Sequence, residues 1–422
     1  MKILLINDTT SHENWGAKAT PAALRGMLSD VMPRCEVEFL PNEWLHRDYR
    51  VLLPSVAGGP TYRRGAVPHL QWLLDRLSRP RSFFPAVADD FETVADAWAR
   101  GEGGPPGEEF LRMASDADAV VYNAENSIYR NTKEGCRGIF LLWYAKTRLG
   151  RIAAAINQTA HVTGVRPVMR AMIQLTYPAL DLVTAREPAS LRCLHELGVT
   201  GSRLVPDPVF ALGPGGEPSE DYRRWRNREG LEKRGYFCLS ASGLPVSRPQ
   251  GSWDGTLVPL VRRLKQVVPT AVLIAKDPHC RFLEDVARRT DAVYFGPEHS
   301  FHDLWPLFRG ARFVVSGHYH YGVIAASVGC PFVPLTANNH KMAGLCELLG
   351  IDGVGPHDIT FLKRAADDIV AEALAAVNGR DDVSARLTRR SEELCKSALE
   401  NATALRDLLL TRQADRGAVD AY

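Results

Sequence analysis

Two histidines flank Tyr319 in the stretch VVSGHYHYGVIAASVGCPF, residues 314–332, where an apolar run gives way to small residues. Histidine suits proton transfer near neutral pH because its ordinary pKa lies there. If the segment is extended, His318 and His320 project to the same side and line one wall. His320 has the better claim to chemistry, since it stands where the helix of small residues begins; capping or core packing is the plain alternative for each. As zinc ligands the pair would need further partners, with His299, His302 and His340 as contributors. No HExxH and no cysteine ligand set accompanies them, so no metal is expected.

Cations stand at comparable places. Arg186 directly follows the apolar run DLVTA and opens a helical stretch, so its guanidinium and the helix N-terminal amides could converge on a phosphate or carboxylate. Lys341 follows PFVPLTANNH and could supply a second point charge. For either residue alone, a surface salt bridge is the ordinary explanation. The loop HENWGAKAT offers Asn14 and Lys18 for hydrogen bonds and allows close backbone approach at Gly16. It is not GxGxxG, which removes a dinucleotide-binding dehydrogenase from consideration.

These residues need a scaffold that brings strand ends together. KILLI (2–6) reads as a buried strand, followed by a polar loop and a helix with Thr20 as N-cap and Pro21 at its first position. DAVVYN (118–123), the helical IFLLWYAKTRLG (139–150) and DLVTA (181–185) continue a β-loop-α alternation. After a break at 213–235, rich in glycine, proline and charge, the alternation restarts at YFCLSASG (236–243), TAVLIAKD (270–277), AVYFG (292–296), RFVVSG (312–317) and PFVPL (331–335). The expected fold is therefore α/β, with two doubly wound Rossmann-like domains whose strand carboxyl ends, the usual ligand side, face a central cleft. The expected boundaries are 1–212 for the first domain, with an insertion at about 43–110, then a linker at 213–235, the second domain at 236–365, and C-terminal helices with a loose tail at 366–422. The carboxyl-end loops in question are Asn7–Lys18, 123–131, Arg186–Glu187, 240–243, Lys276–Asp277, SGHYH and TANNHK.

Bulk composition narrows the partners. A chain of 422 residues exceeds the size at which one core stops growing, and its 45% hydrophobic and 24% charged residues are ordinary for a globular protein. A formal net charge of +2 provides no long-range field for nucleic acid. The eight cysteines are scattered singly, as expected of reduced thiols in a cytoplasmic protein. The opening MKILLIND is too short an apolar run for a signal peptide, and no apolar run approaches the roughly 18 residues of a membrane span.

Two segments resemble the signature regions of the polysaccharide pyruvyl transferase family: VTAREPASLRCLHELGVTGSRLVPDPVFAL (183–212) and VVSGHYHYGVIAASVGCPFVPLTANNHKMAGLCELLG (314–350). The first is similar to that family's R-(D/E)-x-x-S…PDP-x-F segment, the second to its S-x-R-x-H…G-x-P…K segment. The resemblance implies a two-domain architecture like that of GT-B glycosyltransferases. It also implies transfer of the pyruvyl unit of phosphoenolpyruvate to two hydroxyls of a sugar, giving a cyclic ketal and phosphate, with no cofactor. Carried over by position, Arg186 and Lys341 bind the donor and His320 is the catalytic histidine, while His318 stands where the family has arginine. A protonated His318 would still contact phosphate.

The base for the acceptor hydroxyl would be Glu125 in NAENSIY, with Asp8 less favoured; Asn14, Lys18 and Asn126 would contact the acceptor. That acceptor is expected to be a lipid-linked or nucleotide-linked sugar of a surface polysaccharide or capsule precursor, met at the inner face of the membrane. Two alternatives share the fold. One is a glycosyltransferase that uses a nucleotide sugar. The other, suggested by His318, is a catalytically silent binding subunit of a polysaccharide assembly complex.

Overall fold

The computed structural model describes residues 1–47, 83–125, 127–128, 132–161, 165–240, 255–336, 339–351, 355–358 and 362–419. Two sheets organise it, and within each every neighbouring pair of strands runs parallel. The first has the order β2-β1-β3-β4-β5-β6. Its strands are β1 (Lys2–Asp8), β2 (Glu36–Pro41), β3 (Ala119–Asn123), β4 (Ile152–Gln158), β5 (Leu182–Ala185) and β6 (Arg203–Leu204). The second has the order β11-β10-β7-β8-β9, formed by β7 (Tyr236–Ser240), β8 (Thr270–Ile274), β9 (Val293–Phe295), β10 (Ala311–Ser316) and β11 (Phe332–Pro334). The two doubly wound α/β domains expected from the sequence are both present.

The strands read as unbroken apolar runs because a parallel sheet is covered on both faces. Ile3 to Ile6 and all of β3 and β4 are buried. In the first domain Ile3 and Leu5 face one core layer while Leu4 and Ile6 face the other, as the twofold alternation of a strand requires.

The described part of the insertion is largely helical. Helices Phe91–Ala99 and Gly104–Ser115 place Phe91, Trp98 and Phe110 against Phe140 and Tyr144 of helix Lys133–Thr147 in edge-to-face contacts. This segment is thus an extension of the first core. Residues 48–82, the other part of the expected insertion, lie outside the described residues.

Residues 220–228 of the glycine- and charge-rich break form a helix capped by Ser219, and its Tyr222 and Trp225 are buried in the second domain. At the other end, helix Arg380–Ala398 packs Leu387 and Leu394 into the second domain. Helix Glu400–Val419 then crosses back and buries Ala402, Leu405 and Leu409 against Ile3, Leu5 and Leu24 of the first. The tail from Thr411, expected to be loose, is therefore helical as far as Val419. At the crossing, Asn401 is fully buried; it accepts from Thr184 Oγ1 at 3.2 Å and donates to the carbonyls of Pro206 and Ala398 at 3.0 and 3.1 Å.

One helix joins the domains directly. Trp15–Val31, capped by Asn14, follows β1 but sends Trp15 and Ala19 into the core of the second domain, with Trp15 5.6 Å from the Phe295 ring. Truncating an aromatic buried this way costs about 3–5 kcal/mol, so the closed arrangement is held by apolar packing as well as by the polar contacts of the cleft.

Candidate functional site

The loops at the strand carboxyl ends meet between the two sheets, and three residues of β5–β6 and β10 anchor the meeting. Arg186 follows β5 and is only 2% exposed. Its Nε donates to Thr159 Oγ1 at 2.8 Å and its Nη1 to Asp207 Oδ2 at 2.8 Å, while its guanidinium lies 4.4 Å above the Tyr319 ring. Burial works against the charge of Arg186, but Asp207, with Glu187 and Glu125 behind it, outweighs burial and keeps the guanidinium protonated. Nη2 makes no hydrogen bond among the described residues and is its uncommitted donor.

His320 comes from the other domain. Helix Tyr319–Ser327 begins directly after β10, with His318 as N-cap, so His320 falls in its first turn. The ring reaches across the cleft, with Nε2 3.4 Å from Asp207 Oδ2 and 3.3 Å from Thr20 Oγ1. Burial alone would raise the Asp207 carboxyl; His320, Arg186 and the Val209 amide together pull it down to about 2. A fully buried carboxylate is thus ionised and shared between an arginine of its own domain and a histidine of the other.

His318 and His320 do not line one wall. The extended geometry that would put them side by side ends at His318, and His320 already belongs to the helical turn. His318 packs edge-on to Tyr321 at 5.2 Å, and its Nε2 has no hydrogen-bond partner. Burial, and then Lys276 and Lys341, hold its pKa well below the ordinary value. Without a bound anion a charge on His318 is therefore disfavoured, which runs against the expectation of a protonated phosphate contact there.

Lys341 opens helix Lys341–Leu349, and its Nζ forms no ion pair among the described residues. Burial first, then Arg186 and Lys276, lower it to about 8 against the opposing pull of Glu187 and Glu125. Its neighbour His340 also crosses the cleft, with Nε2 3.2 Å from Ser190 Oγ and 3.7 Å from Glu187 Oε1, while its ring stacks on His161 at 4.8 Å. Lys276, at the end of β8, pairs with Asp277. Glu125 adopts a left-handed backbone, φ 35°, beyond β3, and its Oε1 is buried with no hydrogen bond. Non-glycine residues in that region are strained and concentrate at functional sites.

The first loop differs from its sequence reading. The helix begins at Trp15, six residues before the expected start, with Asn14 Oδ1 accepting from Gly16 N–H at 2.9 Å. Thr20 lies inside the helix, fully buried, and serves His320. Pro21 is accommodated in the helix interior. The close approach at Gly16 is real, but its partner is the His320 ring: a Cβ built there would overlap Nδ1 and sit 3.2 Å from Cγ. Lys18 is half-buried on the second turn. Asn126 lies outside the described residues.

The structure therefore brings Arg186, His320, Lys341, His318 and Glu125 to one cleft. Asn14 is committed to capping. His299 stacks on Phe295 at 4.1 Å, and the His302 ring tilts against Phe301 at 3.9 Å. Among the described residues no group of three His, Cys, Asp or Glu is placed to hold a metal ion. Asp207, Thr20 and Thr159 had no assigned chemistry in the sequence; Asp207 stands in the PDPVF segment, three residues past a strand of only two residues, Arg203–Leu204.

Such an arrangement can bind an anion and handle a proton. Lys341 and Arg186 Nη2 offer charge, the uncapped first turn of Tyr319–Ser327 offers amides, and His320 offers an imidazole held between two oxygens. No described helix is long and apolar enough to cross a membrane.

Comparisons with known proteins agree with the fold and narrow the family. HepE of Anabaena, solved in complex with UDP, is 15% identical over 96% of this chain and 100% of its own, with a TM-score of 0.52. UDP-GlcNAc 2-epimerase from Neisseria meningitidis, bound to UDP-GlcNAc, is 9% identical over 97% of this chain and 100% of its own, with a TM-score of 0.54. At such identities the likeness establishes the GT-B-like fold alone. A search of curated proteins gave no sequence match. The family model described as polysaccharide pyruvyl transferase matches residues 30–339, which include Glu125, Arg186, Asp207, His318 and His320 and end just short of Lys341. The chain belongs to the polysaccharide pyruvyl transferase family.

Proposed function

We propose that the protein transfers the pyruvyl group of phosphoenolpyruvate to a sugar of a surface polysaccharide or its precursor, forming a ketal and releasing phosphate. The observation that carries this reading is the convergence of Arg186, His320 and Lys341 on one cleft, although they come from three segments and two domains. Phosphoenolpyruvate brings nearly three negative charges, and Arg186, Lys341 and the helix N–H groups offset them. His320 gives a proton to the methylene carbon, which becomes the methyl group. The oxocarbenium-like centre left at the next carbon is attacked by one sugar hydroxyl, whose proton Glu125 takes. The second hydroxyl then displaces phosphate, which leaves with the second proton. In sum, two hydroxyl protons are consumed, one on carbon and one on phosphate. No cofactor enters, and the acceptor is a lipid-linked or nucleotide-linked sugar met in the cytoplasm at the membrane's inner face.

The test is phosphate release from phosphoenolpyruvate with such acceptors, comparing the native chain with His320→Ala. Loss of about 10²–10⁴-fold in turnover is expected for removal of a general acid, and unchanged turnover removes His320 from the mechanism. Because HepE and the epimerase were solved with UDP and UDP-GlcNAc, a nucleotide-sugar transferase is the competing reading. Thermal unfolding separates them: stabilisation by UDP or GDP with none by phosphoenolpyruvate would favour the competitor.

A further inference from the structure

The carboxylate of Asp207 is sealed from solvent and fully used. Oδ1 accepts from the Val209 amide at 2.9 Å, and Oδ2 accepts from Arg186 Nη1 at 2.8 Å and lies 3.4 Å from His320 Nε2. Thr20 Oγ1 lies 3.3 Å from the same ring nitrogen. Two oxygens therefore converge on Nε2, and the nitrogen left for a substrate is Nδ1, the atom against which Gly16 packs without a side chain.

We infer that Asp207 is a positioning residue which, with Thr20, holds the Nε2 proton of His320 and thereby makes Nδ1 the atom that gives its proton to the enol carbon. The inference rests on the reading of His320 as proton donor proposed above. An ionised carboxylate can only accept, so Nε2 must carry hydrogen. The carboxylate is ionised at any working pH, since its pKa lies at about 2. In the protonated ring Nδ1–H is then the free donor. Its N–H bond breaks as the C–H bond of the methyl group forms, the ring keeps the Nε2 proton, and a proton from the acceptor hydroxyls later restores Nδ1. Arg186 makes the buried carboxylate tolerable, and the pair is completed only when the domains meet, since Asp207 and Thr20 belong to the first and His320 to the second.

The test uses the full chain labelled with ¹⁵N-histidine, with His320→Gln identifying the resonance in long-range ¹H–¹⁵N spectra. The expected result, once the ring is brought to its neutral form by raising the pH, is a remaining proton on Nε2, with a larger Nδ1–H fraction in Asp207→Asn, whose uncharged oxygen accepts more weakly than the carboxylate. A native Nδ1–H form, or an unchanged spectrum in Asp207→Asn, overturns the inference. Asp207→Asn keeps an acceptor for Arg186, and Thr20→Val keeps side-chain volume, so at least one folded variant is at hand. In kinetics, each lowers kcat, Asp207→Asn by about 10- to 100-fold, as loss of an orienting partner does, with KM for phosphoenolpyruvate within about threefold of native. Thr20→Ser restores the hydroxyl and the rate. Native kcat in Asp207→Asn overturns the positioning role. Absence of phosphate release by the native chain with every acceptor would instead defeat the proposed reaction, while the spectra still decide the tautomer.

Discussion

Gly16→Ala isolates the contact on which the proton-handling geometry depends. Gly16 lies in the first turn of helix Trp15–Val31 with an ordinary helical backbone, so alanine there gains intrinsic propensity, about 0.5–1 kcal/mol. Its methyl group, however, would occupy the space of His320 Nδ1 and approach Asn14 Oδ1 to 3.3 Å. Overpacking of this kind costs about 1–3 kcal/mol. The helix contains its own control, because a Cβ at Gly26 meets nothing within 4 Å. Gly26→Ala should therefore stabilise by the full propensity gain, and Gly16→Ala should fall about 1–3 kcal/mol below it. The ring can escape only by moving, and its contacts to Asp207 and Thr20, at 3.4 and 3.3 Å, are already near the limit of hydrogen bonding. Displacement approaching 1 Å costs on the order of 10²-fold in rate. Urea unfolding measures the stability difference and phosphate release measures the rate. If Gly16→Ala matches Gly26→Ala in stability and the native chain in kcat, the placement of His320 against Gly16 is wrong.

Further outcomes follow from the cations and the domain joint. Lys341, held at about 8 by burial and then by Arg186 and Lys276, is charged below that pH and neutral above it. KM for phosphoenolpyruvate should accordingly rise between pH 7 and 9, by about five- to tenfold as the charged fraction falls, for one charged hydrogen bond of about 1.5–3 kcal/mol, and Lys341→Met should flatten the profile. His318→Arg places a permanent charge beside Lys276 and Lys341; the ligand-free protein should lose about 1–2 kcal/mol, recovered with phosphoenolpyruvate in a thermal-shift measurement. Asn401→Ala should cost about 1–3 kcal/mol in urea unfolding, since it strips partners from Thr184 and the Pro206 carbonyl; an unchanged midpoint would mean that water replaces the amide.

Strand ends were the legible part of the sequence. KILLI, DAVVYN and RFVVSG are apolar runs that only a doubly covered sheet accommodates, and Arg186 and His320 could be placed by where such runs stop. β4, IAAAINQ, was hidden because alanine carries no strand preference; it is specified by its position between β3 and β5, where small residues fit. The start of the first helix was misplaced because Thr20-Pro21 imitates a cap, whereas Asn14 performs the capping. Asp207 was silent for another reason. A two-residue strand has no periodicity, and the meaning of the carboxylate lies wholly in a histidine 113 positions away that only the tertiary fold delivers.

The return of the last helix to the first domain bears on how the cleft can work. The polypeptide passes between the domains twice, once after Leu212 and again at Leu399–Glu400, and the second passage is bolted by Asn401. Helix Trp15–Val31 ties the domains a third time, through Trp15 and Ala19. Parting the two sheets would separate His320 from Asp207 and Thr20, and His340 from Ser190. The packing that buries Trp15 and the contacts that hold the His320 ring are thus made by one and the same closure.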